Sequence, residues 1–216
     1  GSYGVRGVAT GEFLGFVMMN SNSKTSPLSG YEVLVTEAAT RSELKGSRPL
    51  TQDIVDQKEQ LIFEEGGTSN CFITRKGESV LATFHRLADW ISQLKLPLEI
   101  VRNVDNILHL RHLQYGSAYS FKASSCTPGL LSLEGQKVAL ASPGLDLKGR
   151  INGIPCLGHG QYLSVPAETE DISGLTVRYY GSEAPVDKVA GTVSVIQNGF
   201  QFRVGIPEPH IELLSL

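Results

Sequence analysis

The sequence predicts an α+β fold that is mainly β: antiparallel sheets with one amphipathic helix. Three observations carry this. Short runs of period-two alternation recur along the chain, as in Tyr31, Val33 and Val35 set against Glu32, Leu34 and Thr36. Glycine-bearing turn signals separate those runs. Only one segment, near residues 80–95, has a sustained helical period. Strands, one helix and then strands is not the βαβα alternation of a parallel sheet.

Taken in order, Tyr31–Thr36 is the first clear strand. A short helical turn over Thr51–Gln57 follows Pro49. Gln60–Glu65, the pair Gly66-Gly67 and Cys71–Thr74 read as a hairpin with a glycine turn. Leu81, Phe84, Leu87, Ala88, Ile91 and Leu94 form the apolar stripe of the helix, with Trp90 on its flank. Ser79 caps its start and Pro97 stops it. Leu98–Arg102 and Ile107–His112 make a second hairpin across Asn103–Asn106, and Tyr119, Phe121 and Ala123 alternate again. Leu175–Tyr180, Thr192–Ile196 and Phe200–Val204 are the closing strands, separated by Gly181-Ser182 and Asn198-Gly199. The expected division is a β-rich base of residues 1–45 with 146–216, and an inserted α+β domain of 46–145 with the helix at 80–95.

Composition narrows the function. Hydrophobic residues make up 41% of the 216 and charged residues 19%, enough for a buried core and unlike a disordered tail. A net charge of −3 supplies no basic field for nucleic acid or anionic lipid, and no apolar run has the length of a membrane span. The chain opens Gly1-Ser2 without an initiating Met, which reads as an excised fragment, and no secretory signal peptide is visible.

Residues with chemistry form no familiar constellation. His109 and His112 are three apart on a strand and so face opposite ways, which argues against chelation. His85 and His159 lack a carboxylate or cysteine at ligand spacing. Cys71, Cys126 and Cys156 are odd in number and far apart, and read as buried thiols. His159 is the only histidine close to a cysteine, three after Cys156. Adjacent Glu64 and Glu65 point to opposite faces of a strand, and Asp53, Asp56 and Glu59 read as a solvated helical face. Arg102, Arg111, His109 and His112 are too few to make a nucleic-acid site. Gly4, Gly7, Gly11 and Gly15 are not followed by the Lys of a phosphate loop, and Gly158-His-Gly160 lacks a third glycine. No catalytic, cofactor-binding or metal-binding residue is expected, and no enzyme.

Two regions carry a resemblance. Leu145–Leu163 holds Asp146, Gly149, Ile151 and Gly153 in an Asp-x-x-Gly-x-Ile-x-Gly start, then Gly158, Gly160, Gln161 and Leu163 in Gly-x-Gly-Gln-x-Leu. Gly174-Leu-Thr-Val-Arg-Tyr179 with Gly181 and the strand Gly191-Thr-Val follow in order. Residues 77–125, with the helix, the strand Leu98–Arg102 and Tyr115-Gly-Ser117, are similar to the flagellin IN repeat. Tyr31-Glu-Val-Leu-Val35 with Ala38-Ala39, and Phe200–Gly205, complete the pattern. In this order the segments resemble the variable domains of bacterial flagellins and flagellar hook-associated proteins, over most of residues 28–205.

The resemblance implies an outer-domain module inserted in a helical shaft, a structural part of the flagellar filament, extracellular and exported without a cleaved signal peptide. Its partners would be other flagellar subunits, met through terminal helices outside these 216 residues, with a host receptor or glycan as a further partner and neither nucleic acid nor membrane. The alternatives are a filament cap or hook-associated junction protein, and an adhesin-like glycan- or host-binding β module using Tyr179, Tyr180 and Trp90.

Overall fold

In the computed structural model, which describes residues 4–20, 26–27, 29–169, 171–197 and 211–215, the chain is mainly β with antiparallel sheets and two helices among those residues. In chain order the strands are β1 (Gly4–Ala9), β2 (Leu14–Met18), β3 (Tyr31–Glu37), β4 (Arg41–Pro49), β5 (Gln60–Glu65), β6 (Thr68–Ile73), β7 (Leu98–Ile100), β8 (Ile107–Tyr115) and β9 (Lys122–Ser125). They continue with β10 (Val138–Leu140), β11 (Lys148–Ile151), β12 (Ile154–Pro155), β13 (Leu157–His159), β14 (Tyr162–Ser164), β15 (Thr176–Tyr179), β16 (Gly191–Gln197) and β17 (Ile211–Ser215). Helices α1 (Gln52–Asp56) and α2 (Val80–Gln93) flank the β5–β6 hairpin. Two compact units result: Gly1–Thr40 with Asp146–Leu216, and Arg41–Leu145. Because β4 pairs with β8, residues 41–45 belong to the middle unit and not to the base.

The first unit has two sheets, in the orders β12-β11-β3-β16-β1-β17 and β13-β14-β15-β2. Tyr31, Val33 and Val35 of β3 are buried, at 8%, 0% and 1% exposure, as their alternation predicts. Val193 and Val195 of β16 join them, with Phe16, Leu163 and Val177 from the other sheet. The sheets meet closely: a Cβ on Gly7 of β1 would fall 2.0 Å from the Phe16 ring. β1 lies between β16 and β17, with Gly7 opposite both Val195 and Glu212. The expected strand Phe200–Val204 and the turn Asn198-Gly199 lie outside the described residues.

The second unit has sheets β10-β9-β5-β6 and β4-β8-β7 around one core that includes Leu61, Phe63, Phe72, Leu108 and Leu110. The β5–β6 hairpin turns on Gly66 and Gly67, with φ of +58° and +80°, so Glu65 pairs with Thr68. In the β7–β8 hairpin, Asn103 closes the loop: its Oδ1 accepts from the Ile107 amide and its Nδ2 donates to the Ile107 carbonyl.

Helix α2 starts where Ser79 accepts a hydrogen bond from the Ala82 amide, 3.1 Å away. Its buried residues are Thr83, Phe84, Leu87 and Ile91, whereas Leu81 is 54% and Leu94 45% exposed, and Ala88 is exposed. At about 100° per residue the buried arc centres between Phe84 and Leu87, which turns Leu81 and Ala88 about 80–100° away from the core. Leu94 shares the arc but stands at the C-cap, beyond the core.

Candidate functional site

The histidines on β8 do face opposite ways. His112 shares the inner face with Leu108 and Leu110 and is 1% exposed. Its Nδ1 accepts the Gln114 amide at 2.9 Å and its Nε2 stands 3.1 Å from Glu65 Oε1, so a neutral ring donates from Nε2. Tyr119 and Phe121 pack beside it. His109 is on the outer face, 3.7 Å from Glu43. The outer face of β4-β8-β7 is an ion-pair ladder: Arg41 meets Glu99 at 3.1 Å, and Arg111 reaches Glu99 at 2.8 Å and Glu43 at 3.7 Å. Arg102 lies over the Phe84 ring, 4.9 Å from its centroid. These cations are engaged by the protein's own carboxylates and rings. His85 and His159 are exposed.

Two expectations about polar residues are overturned. Cys71 and Cys126 are exposed and Cys156 is partly buried, and all three are free thiols. Cys71 sits on the outward side of β6, and Cys126 follows the last residue of β9, where the strand leaves the sheet. Burial pushes the Cys156 thiol above its ordinary pKa. Glu59 is not on a solvated helical face either. Helix α1 ends at Asp56, Lys58 turns the chain at φ +56°, and Glu59 enters the core at 3% exposure. There its carboxylate accepts from the Cys126 amide at 2.6 Å, the Thr127 amide at 2.7 Å and the Thr127 hydroxyl at 2.6 Å. Asp56 accepts from the Gly77 amide and Gln52 Nε2, which in that order hold its carboxyl below the usual range. Glu64 pairs with Lys122 at 3.7 Å, on the side of the strand opposite Phe63 and Glu65.

The three aromatics of the glycan-binding reading do not make a platform. Trp90 is half-buried against Phe63 and Phe72, with centroids 5.9 and 5.5 Å apart. Tyr179 is 3% exposed and its hydroxyl donates to the Glu183 carbonyl. Tyr180 alone is open, at 51%.

A cleft that sequence reasoning missed lies in the first unit, about 720 Å³ in volume, between the β1–β2 turn and the segment 182–192. Its floor is a tight backbone crossing: a Cβ on Gly191 would fall 1.9 Å from the Thr10 carbonyl oxygen, and one on Gly11 2.2 Å from that of Ala190. Thr10 and Thr192 lock the crossing through their hydroxyls, 2.7 Å apart. Phe13, 37% exposed, forms one wall with Tyr179 beneath it, and Glu12, Glu183 and Lys188 also line the cleft. The only local signal for it is the phenylalanine two residues after Gly11 in a turn; its other parts lie about 170 residues further along. Among the described residues, no group of three or more His, Cys, Asp or Glu side chains is placed to hold a metal ion, and no helix is long and apolar enough to cross a membrane.

No known family's sequence profile matches the chain, and no curated protein matches it by sequence. Solved structures do. The D2-D3 domains of the flagellar cap protein FliD from Escherichia coli superpose with a TM-score of 0.55 at 12% identity, over 90% of this chain and 98% of that one. The FliD D2-D3 domains from Serratia marcescens give 0.52 at 14% identity, over 86% and 100%. Against the E. coli D1-D2-D3 chain the TM-score is 0.55 at 13% identity, and the match spans 56% of that chain. At these identities the likeness is one of fold.

Proposed function

We propose that this chain is the outer, two-unit part of a flagellar cap-type protein, a structural component of the bacterial flagellum. The observation that carries the reading is the extent of the likeness to the E. coli cap domains: it takes in 90% of this chain, and so parts of both units, and 98% of the cap fragment. The cap reading is supported better than that of a flagellin variable domain, since the solved structures it resembles are cap domains. The ordered motifs in residues 28–205 are compatible with either.

The role is mechanical and not catalytic. In β1 and β17, Gly4 pairs with Ser215, so the first and last described residues lie side by side in the base unit. That suits a module carried outside the cell on a helical shaft, with assembly contacts to other flagellar subunits made by segments beyond these residues. Negative-stain microscopy of the full-length protein with flagellar filaments tests the reading. The expected result is a discrete assembly at filament tips; incorporation along the filament wall would return the protein to the flagellin class.

A further inference from the structure

We infer that the cleft beneath Phe13 is a binding site for a basic side chain, a lysine or arginine presented by a partner polypeptide. The walls are aromatic and set at right angles. The plane of the Phe13 ring is nearly perpendicular to that of Tyr179, with centroids 6.3 Å apart and planes at 89°, and to that of Tyr180 just outside the cleft, at 5.8 Å and 81°. Ring faces are electron-rich and attract cations, most strongly where water is partly excluded. Tyr179 is buried at 3% exposure and Phe13 is open at 37%, so the corner joins a sheltered ring to one within reach of a partner.

The charge at the cleft agrees. Glu12 and Glu183 line it from opposite segments of the chain, against one lysine, Lys188. Burial first, and then the charges of Glu12 and Glu183, hold the Tyr179 hydroxyl above the ordinary tyrosine pKa. Two carboxylates and two rings around one concavity are complementary to a cation, and an anion would meet repulsion. The rim also offers Val189, 38% exposed, and Val186, 79% exposed, which suit the methylene stem of a long basic side chain. The volume, about 720 Å³, exceeds one side chain and has room for the flanking peptide. Lys188 lines the same cleft, so it acts as a resident competitor for the carboxylates.

The test is an amide NMR titration of the full 216-residue chain with the peptide acetyl-Gly-Lys-Gly-amide, beside its norleucine isostere and a glutamate version. The lysine peptide is expected to shift the amides of Phe13 and Gly191 saturably, and to bind at least about tenfold more tightly than the norleucine peptide. Added salt should weaken it, because the contact is charged and near the surface. Paired Glu12→Gln and Glu183→Gln substitutions, both at exposed positions, should weaken the lysine peptide about tenfold and leave the norleucine peptide unchanged. Lys188→Ala should tighten lysine binding several-fold. Equal binding of the lysine and norleucine peptides, preference for the glutamate peptide, or no saturable shift at Phe13 and Gly191 would each overturn the assignment.

Discussion

Glu59→Ala removes a carboxylate that three donors surround. The side chain is 3% exposed and accepts from two consecutive backbone amides and one hydroxyl, all at 2.6–2.7 Å, which ties the Cys126–Thr127 loop to the end of α1. Alanine leaves the Cys126 and Thr127 amides without the acceptor that the buried Glu59 carboxylate supplies. Each buried unsatisfied donor costs about 1–3 kcal/mol, and the Thr127 hydroxyl can rotate to another acceptor, so a loss of about 3–5 kcal/mol is expected. Glu59→Gln keeps Oε1 for the two amides, loses the charge assistance and puts a donor where Oε2 accepted the Thr127 hydroxyl, which can turn to accept instead, so it should cost about 1–2 kcal/mol. Urea unfolding followed by tryptophan fluorescence measures both, because Trp90 is the single tryptophan and packs on Phe63 and Phe72 in the same core. Hydrogen exchange should locate the change at the Cys126 and Thr127 amides. A Glu59→Ala loss below about 0.5 kcal/mol would refute the reasoning, as would equal losses for the two variants.

Leu87→Ala, at a site 1% exposed, should cost about 2–5 kcal/mol in the same assay, and Leu81→Ala, 54% exposed, under about 1 kcal/mol; the reverse order would put the helix on the wrong face. Glu78 is held below its ordinary value of 4.5 chiefly by its hydrogen bond from Arg86, with a further bond from Thr83. A carboxyl with a depressed folded pKa contributes stability that is present above the unfolded value and lost as pH falls through the folded one. The urea midpoint should therefore fall on acidification below about pH 4.5, and Glu78→Gln should flatten that limb; an unchanged acid limb would show that this pair is not the cause. Because burial raises the Cys156 thiol while Cys71 and Cys126 are exposed, disulfide reagents should modify two thiols quickly and one slowly, with Cys156→Ser removing the slow phase.

Features set by neighbours in sequence were legible. Gly66-Gly67 between two apolar runs defines a hairpin, Ser79 and Pro97 bracket a helix, and the alternation in Tyr31–Thr36 names its buried face. Features set by distant partners were not. The burial of Glu59 depends on amides 67 and 68 residues away, and nothing beside it in sequence announces them. The exposure of the cysteines is hidden for a related reason: whether a thiol on β6 or past β9 is open follows from which side of the sheet the strand presents. The helix stripe was displaced because leucine and alanine at 81 and 88 fit the period yet lie at the margin of the buried arc. The cleft under Phe13 needs residues 10–13 and 179–192 brought together, which periodicity cannot foresee.

The position of β1 between β16 and β17 sets an order of events during synthesis. A chain emerging N-terminus first presents β1, β2 and β3 early, yet their partners in the sheets are β11, β15, β16 and β17. Residues 41–145 emerge in between, and among the described residues their strands pair with one another. The middle unit can therefore close while Phe16, Val33 and Val35 still stand open to water, long-range pairing being the slow step for a sheet. Within these residues the strands that emerge before the middle unit are completed only after it, and their apolar faces are exposed to mispairing in the interval.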